Sequence, residues 1–238
     1  MEKWYQAIEK RCSIRKFRAE PTADDMESLA QAADSLAAYG IRIVISRSDK
    51  IFASRLGTPK IRGTECFAAF VSKEGRSPYL GYIGELFILE CVARGLGTCW
   101  LGASFRMGAA QRAVEMEQGE AIICVTPLGY AAEDFKLRPR RSISSLTGLS
   151  VQDFVALPRW QQCAIEAARR APSAVNAQPW AFEAGDDYIA VINTTPNLGY
   201  GKLDCGIAMI HMELGAAHCG VAGDWTEEQN CFVFRPRG

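Results

Sequence analysis

Arg11, Ser13 and Arg15 alternate along the segment Arg11-Cys12-Ser13-Ile14-Arg15-Lys16-Phe17. Side chains of an extended segment point to alternate faces, so two guanidinium groups and a hydroxyl fall on one side and can meet a single anion through charge-assisted hydrogen bonds. That donor set suits a phosphate. Arginine-rich loops after a helix are also ordinary solvated surface, so the spacing alone leaves both readings open. A second polar segment, Ala171-Pro172-Ser173-Ala174-Val175-Asn176-Ala177-Gln178-Pro179-Trp180, lies past the middle of the chain. Pro172 fixes the chain direction, and Pro179 holds Gln178 extended. Ser173, Asn176 and Gln178 supply hydroxyl and amide groups that can both donate and accept hydrogen bonds. Trp180 is placed to anchor the segment in the core.

The elements that must position these residues can be read from periodicity and caps. Residues 2–10 form an expected helix that ends before Arg11. Pro21-Thr22-Ala23-Asp24-Asp25 supplies an N-cap and an acidic first turn to a second helix through about Ser35, with Met26, Leu29, Ala30 and Ala33 on its apolar side. Residues 41–46, 66–72 and 121–126 have the β-branched character and length of strands. Leu80 to Arg94 is apolar around most of its circumference, which predicts a buried helix, stopped at Gly95-Leu96-Gly97. Further on, residues 158–170 read as a helix ended by Ala171-Pro172. Trp180 to Glu183 and Tyr188 to Asn193 read as strands about a Gly185-Asp186-Asp187 turn. An apolar helix follows Asp204-Cys205-Gly206 to about Cys219, and Cys231 to Phe234 closes the pattern as a strand. The order helix, strand, helix, strand thus occurs twice, and Arg138 to Gln152, rich in Arg, Ser, Thr and Gly, reads as the connection.

Composition narrows the function classes. Lys+Arg and Asp+Glu both number 27 in 238 residues, so no global basic field points to nucleic acid or to an acidic membrane. The charged start Met1-Glu2-Lys3-Trp4-Tyr5 lacks the apolar core of a signal peptide, and no apolar run is long enough to span a bilayer. A soluble, cytoplasmic protein is the expectation. The nine cysteines include no C-x-x-C pair, which argues for buried thiols over a disulfide framework or a zinc ribbon. His211 and His218, seven apart, lack further ligands at plausible spacing, so no metal site is expected.

The first segment resembles the R-x-S-x-R-x-F opening of the nitroreductase family of FMN-dependent oxidoreductases, and the second resembles that family's A-P-S-x-x-N-x-Q-P-W signature. Gly95-Leu96-Gly97-Thr98-Cys99-Trp100-Leu101-Gly102 is similar to its G-L-G-T-x-W-I-G stretch, and Lys136-Leu137-Arg138-Pro139-Arg140-Arg141 to its basic segment after the last strand. The resemblance implies an FMN whose phosphate meets Arg11, Cys12, Ser13 and Arg15, with Arg138 and Arg140 as additional phosphate ligands. It places Pro172, Ser173, Asn176 and Gln178 at the ribityl chain or pyrimidine edge. Trp100, Leu101, Gly102 and Ala103 would line the reactive edge of the isoalloxazine. Ala103 stands where a second glycine is frequent in the family, which bears on how closely the backbone can approach.

In the family the second motif ordinarily follows the first by a few tens of residues, and each FMN sits at a dimer interface. Here the two are much further apart. The resemblance is therefore to the branch in which one chain mimics the usual homodimer: an α+β, nitroreductase-like fold of two fused half-copies. A mixed or antiparallel sheet would be flanked by helices around central buried helices, with one half at 1–145 and a shorter one at 150–238. Each half lacks one of the two motifs, so one complete pocket remains and a monomer is expected. The implied activity is NAD(P)H reduction of a small-molecule acceptor (a nitroaromatic, a quinone or a related compound) by ping-pong transfer through the flavin. No G-x-G-x-x-G follows a strand, so NAD(P)H would be a transient reductant, and no catalytic side chain is assigned. A non-catalytic flavin-binding or sensory protein, or a degenerate member without cofactor, is the alternative reading.

Overall fold

The computed structural model describes residues 1–53, 60–134, 136–228 and 231–237. In chain order they form α1 (Glu2–Lys10), β1 (Phe17–Ala19), α2 (Ala23–Ser35), β2 (Ile41–Arg47), β3 (Cys66–Ser72), α3 (Pro78–Ala93), α4 (Met107–Ala113), β4 (Ala121–Pro127) and β5 (Tyr130–Ala131). There follow α5 (Ile143–Thr147), α6 (Val151–Ala156), α7 (Arg159–Arg169), β6 (Trp180–Ala184), β7 (Ile189–Asn193), α8 (Gly201–His218), β8 (Gly223–Glu228) and β9 (Cys231–Pro236). The fold is α+β, and its named strands pair antiparallel throughout. Among the described residues no helix is long and apolar enough to cross a membrane.

Two compact units divide the chain by packing. One gathers Lys10–Gly75 and Leu86–Leu137; the other gathers Met1–Glu9, Arg76–Glu85 and everything from Arg138 onward. The halves expected at 1–145 and 150–238 describe a repeated pattern, whereas these units describe which segments share a core.

The unit containing Lys10–Gly75 is built on the sheet β2-β3-β4. All seven residues of β3 are buried, because the strand is central and apolar on both faces. Phe67, Ala69 and Val71 join Cys12, Ile14, Phe17, Leu101 and Val125 in one cluster, while Phe70 points the other way, edge-on to Phe87 at 6.3 Å. Arg42 of β2 fixes the entrance to β4. Its Nε and Nη2 donate to the two carboxylate oxygens of Glu120 at 2.8 and 2.6 Å, and Nη2 also reaches the Glu115 carbonyl. The Glu120 side chain is 2% exposed, and these bonds hold its carboxyl down at about 2. Helix α2 begins with the expected Thr22 cap, completed by Asp25 as a capping box. Leu29 and Ala33 are its buried residues, whereas Ala30 is exposed, so the apolar stripe is narrower than the spacing predicts.

In the second unit the antiparallel sheet β6-β7-β9-β8 accompanies α7 and α8. Helix α8 is buried along most of its length, as its all-round apolar character requires. Glycines set its distance from its neighbours. A Cβ at Gly206 would lie 1.7 Å from the Pro78 carbonyl oxygen, one at Gly81 2.0 Å from that of Leu203, and one at Gly215 2.4 Å from that of Cys163. Gln161 of α7 is wholly buried and donates to the carbonyls of Gly185 and Tyr188 at 2.7 and 3.0 Å, closing the β6–β7 hairpin.

Besides the short elements α4, β1 and β5, which the sequence pattern does not announce, structure and sequence differ in the connection and at a late strand. The connection Arg138 to Gln152 holds α5 and the start of α6, because Ser142 and Ser150, which look like linker residues, are N-caps, and Gly148 closes α5 at φ 73°. Strand β8 escapes a hydrophobicity reading because it is a mostly exposed edge strand carrying Asp224, Glu227 and Glu228.

Two stability effects are expected. Gly206→Ala should destabilise by about 1–3 kcal/mol because its obstacle is backbone. Gly108→Ala in α4, where the nearest atom is an arginine tip at 3.6 Å, should be neutral or mildly stabilising in the same urea titration. Glu120→Gln should cost roughly 2 kcal/mol at neutral pH, after allowing for the partly exposed Arg42. The native pKa of Glu120 lies below its ordinary value of 4.5, so this stability is present above 4.5 and fades as pH falls towards about 2. Wild type and variant should converge there; parallel pH profiles would remove Arg42–Glu120 as the cause.

Candidate functional site

Residues 11–15 run extended beside Thr98, with a parallel bridge between Ser13 and Thr98 and a 2.8 Å bond from the Ile14 amide to the Thr98 carbonyl. On its other side the Gly97–Leu101 stretch pairs with the end of β4. Leu101 and Val125 exchange two 2.9 Å bonds, the Gly97 amide donates to Gly129 at 2.7 Å, and the Cys99 amide donates to Thr126 Oγ1 at 3.0 Å. Gly97 is required for this approach, since a Cβ there would lie 2.9–3.0 Å from three atoms of the Ile14 side chain.

Alternation along the segment sends Cys12 and Ile14 into the core, while Ser13 and Arg15 stay partly exposed and Arg11 is 7% exposed. Burial pushes the Cys99 thiol up, and the Arg15 charge, a hydrogen bond with Ser13 and the Arg11 charge oppose the rise. Cys12, with its side chain in the core, has only its backbone to offer a ligand. Thr98 Oγ1 is buried beside them without a hydrogen-bond partner. Trp100 is half-buried and stacks on Phe70 at 4.5 Å, Leu101 is buried, Gly102 is half-buried and Ala103 is exposed.

In the unit of α7 and α8, the second polar segment leaves α7 through buried Pro172 and folds into tight turns. Val175, Asn176 and Gln178 have φ of 50°, 60° and 51°, a left-handed region that costs non-glycine residues about 1–3 kcal/mol each, so Gln178 is not held extended before Pro179 as its sequence leads one to expect. Side chains hold the conformation. Ser173 Oγ accepts from the Gln178 amide at 2.8 Å, and buried Gln178 accepts from the Arg141 amide at 2.9 Å. Asn176 donates to the Pro139 carbonyl at 3.1 Å, and its Oδ1 accepts from Arg140 Nη1 at 2.7 Å. Arg140 also donates to the Arg170 carbonyl. Arg140 therefore spends bonds on orienting Asn176, while Arg138 is exposed. Trp180 is fully buried and lies 6.3 Å from Phe182, the anchor expected of it.

A residue the sequence reading missed sits under these turns. Asp204, 2% exposed, accepts from the Ala174 amide at 3.0 Å and from Asn197 Nδ2 at 2.6 Å. Burial raises its carboxyl to about 7 against the pull of those two bonds. The available signal was an acidic residue in the first turn of a mostly apolar helix.

A family model described as "Putative TM nitroreductase" matches residues 3–216. The crystal structure of a putative nitroreductase from Thermotoga maritima aligns at TM-score 0.70 and 19% identity, over 98% of this chain and 93% of that one. A nitroreductase with bound FMN from Desulfitobacterium hafniense aligns at TM-score 0.46 and 15% identity, over 57% of this chain and 92% of its own. The NADPH:FMN oxidoreductase of Vibrio harveyi complexed with NAD+ aligns at 0.45 and 17%, over 58% and 73%. No curated protein matches. A family match across nearly the whole length, on a chain whose two motif segments are each built into a hydrogen-bonded frame, places this protein in the TM nitroreductase family.

Proposed function

We propose that the chain is an FMN-dependent oxidoreductase that uses NAD(P)H to reduce a nitroaromatic, quinone or related acceptor. The observation that carries the reading is that the extended 11–15 segment, with Arg11, Ser13 and Arg15 alternating along it, is paired to Thr98, whose buried hydroxyl lacks a partner. Two guanidinium groups and a hydroxyl on one face form a donor set for a phosphate dianion, and the residues present fit the group. When bound, FMN supplies the redox chemistry, accepting hydride from NAD(P)H and passing electrons to the acceptor.

The chain's own residues bind and orient. Arg11, Ser13 and Arg15 hold the phosphate. Ser173, Asn176 and Gln178 face the ribityl chain or pyrimidine edge, on a turn that Pro172 starts and Arg140 steadies through Asn176. The stretch Trp100 to Ala103 lies along the reactive edge, with Trp100 held in place by Phe70. In this reading the acceptor and nicotinamide use the flavin face in turn, and no side chain acts as acid or base.

Losing a charge-assisted contact costs about 1.5–3 kcal/mol, so Arg11→Ala should weaken FMN binding roughly ten- to a hundredfold. Riboflavin, without the phosphate, should bind wild type and variant alike, and Arg159→Ala should leave FMN affinity unchanged. Flavin fluorescence titration reads all of these. Equal FMN affinity in wild type and Arg11→Ala would refute the phosphate assignment. A wild type that binds FMN but is not bleached by NADPH or NADH would instead be a flavin-binding protein without this activity.

Because both motifs lie in one chain, we propose a single FMN per chain and a monomer that binds it unaided. Flavin released by heat, set against light scattering over a concentration series, tests both points. A stoichiometry near two would contradict the single FMN, and flavin binding that appears only at dimeric mass would contradict the monomer.

A further inference from the structure

We propose that Asp204 is a positioning residue for the Ser173–Gln178 turn, its carboxylate bracing two left-handed turns so that Ser173, Asn176 and Gln178 present their polar groups to the flavin. The proposal rests on the FMN reading above and deepens it by adding a residue that governs the cofactor-facing segment without touching the cofactor.

Two turns of unusual backbone are involved. Asn197 and Leu198 have φ of 40° and 57°, matching the positive values at Val175, Asn176 and Gln178. For a β-branched residue such as Val175 this conformation persists only when surrounding contacts over-determine it. Val175 and Leu198 are 79% and 74% exposed, so apolar packing of these two side chains does not hold the turns. Hydrogen bonds do. Asn197 Nδ2 donates both to the Ala174 carbonyl at 3.2 Å and to Asp204 Oδ2 at 2.6 Å, while the Ala174 amide donates to Asp204 Oδ1 at 3.0 Å. One carboxylate and one amide thus tie both turns to the first turn of α8.

The brace depends on charge. Both groups facing Asp204 are donors, one on each oxygen, so the carboxylate satisfies both. A protonated acid must donate from one oxygen and gives up one of the bonds. The switch between these states falls at about pH 7, where burial has moved the carboxyl. The charged and titratable neighbours are otherwise engaged. Lys202 pairs with Glu227, Arg140 is bonded to Asn176 and the Arg170 carbonyl, and burial together with the Asp204 charge keeps the Cys205 thiol un-ionised. The brace is therefore complete above about pH 7 and loosens as pH falls through that value.

The experiment compares FMN affinity of wild type and Asp204→Asn from about pH 5.5 to about pH 8.5. An asparagine has a single acceptor oxygen and brings its own donors towards Asn197, so it copies the protonated state at every pH. The FMN phosphate titrates near pH 6 in both samples, and taking the ratio of the two affinities removes it. The expected ratio is near one at the acid end and about tenfold in favour of wild type at the alkaline end. A ratio that stays constant with pH overturns the proposal. The Ala174 amide resonance of flavin-free wild type gives a second measurement that needs no variant: it should titrate with a midpoint near 7, and a resonance unmoved across that range also overturns it. Wild type that fails to bind FMN while the Ala174 amide still titrates would refute the cofactor reading and leave the brace standing.

Discussion

Helix α8 can be buried only because its neighbours approach to backbone contact, and that closeness is the constraint under which the rest of its unit is built. Gly206 meets Pro78, Gly81 meets Leu203, and Gly215 meets Cys163 and Ala164. With no side chains between them, polar groups facing inward must find partners in one another, since water has no room. His211 and Glu85 show the result. Both side chains are wholly buried, with Nε2 3.0 Å from Oε1 and Nδ1 3.1 Å from the Ala167 carbonyl. The two ring nitrogens of His211 thus each find a polar partner inside the packed helices, one on α3 and one on α7. Breaking such a pair leaves a buried polar group unsatisfied, which ties α3, α7 and α8 to one arrangement.

That fixed helix frame is what permits strain next to it. The turn after α7 holds three non-glycine residues at positive φ, and a loosely packed support would let them relax into ordinary conformations. Instead α8 delivers Asp204 under the turn, and the sheet-side anchor Trp180 closes the other end. The segment resembling the family signature is thus held from both ends, and Arg140 and Arg141 clamp its middle.

Much of this was legible in the sequence, for identifiable reasons. The capping box at Thr22, the fully apolar β3 and the all-round apolar helices α3 and α8 are local signals that agree with the tertiary structure, and such agreement is what makes an element readable. Alternation at residues 11–15 carried through in part, with Cys12 and Ile14 in the core and Ser13 and Arg15 partly exposed, whereas Arg11 is buried. What stayed hidden depends on partners remote in sequence. Asp204 looks like a helix-terminal acid until Ala174 and Asn197 are folded against it, and Arg140 looks like a solvated linker residue until Asn176 arrives. Serines 142 and 150 belong to the same group: the residue types that break structure in a linker also begin helices, and only the following turn decides between them.

The two motif segments are stabilised by different physics. Residues 11–15 are strand-like, held by backbone bonds to Thr98 and by Cys12 and Ile14 in an apolar core. The 173–178 turn is held by the same side chains that carry its polar groups, Ser173, Asn176 and Gln178. Substitution in the first segment can therefore alter chemistry and leave the backbone in place, whereas substitution in the second changes conformation and chemistry together. A supporting residue outside the turn, such as Asp204, separates the two, because it moves the backbone and leaves every polar group of the turn intact.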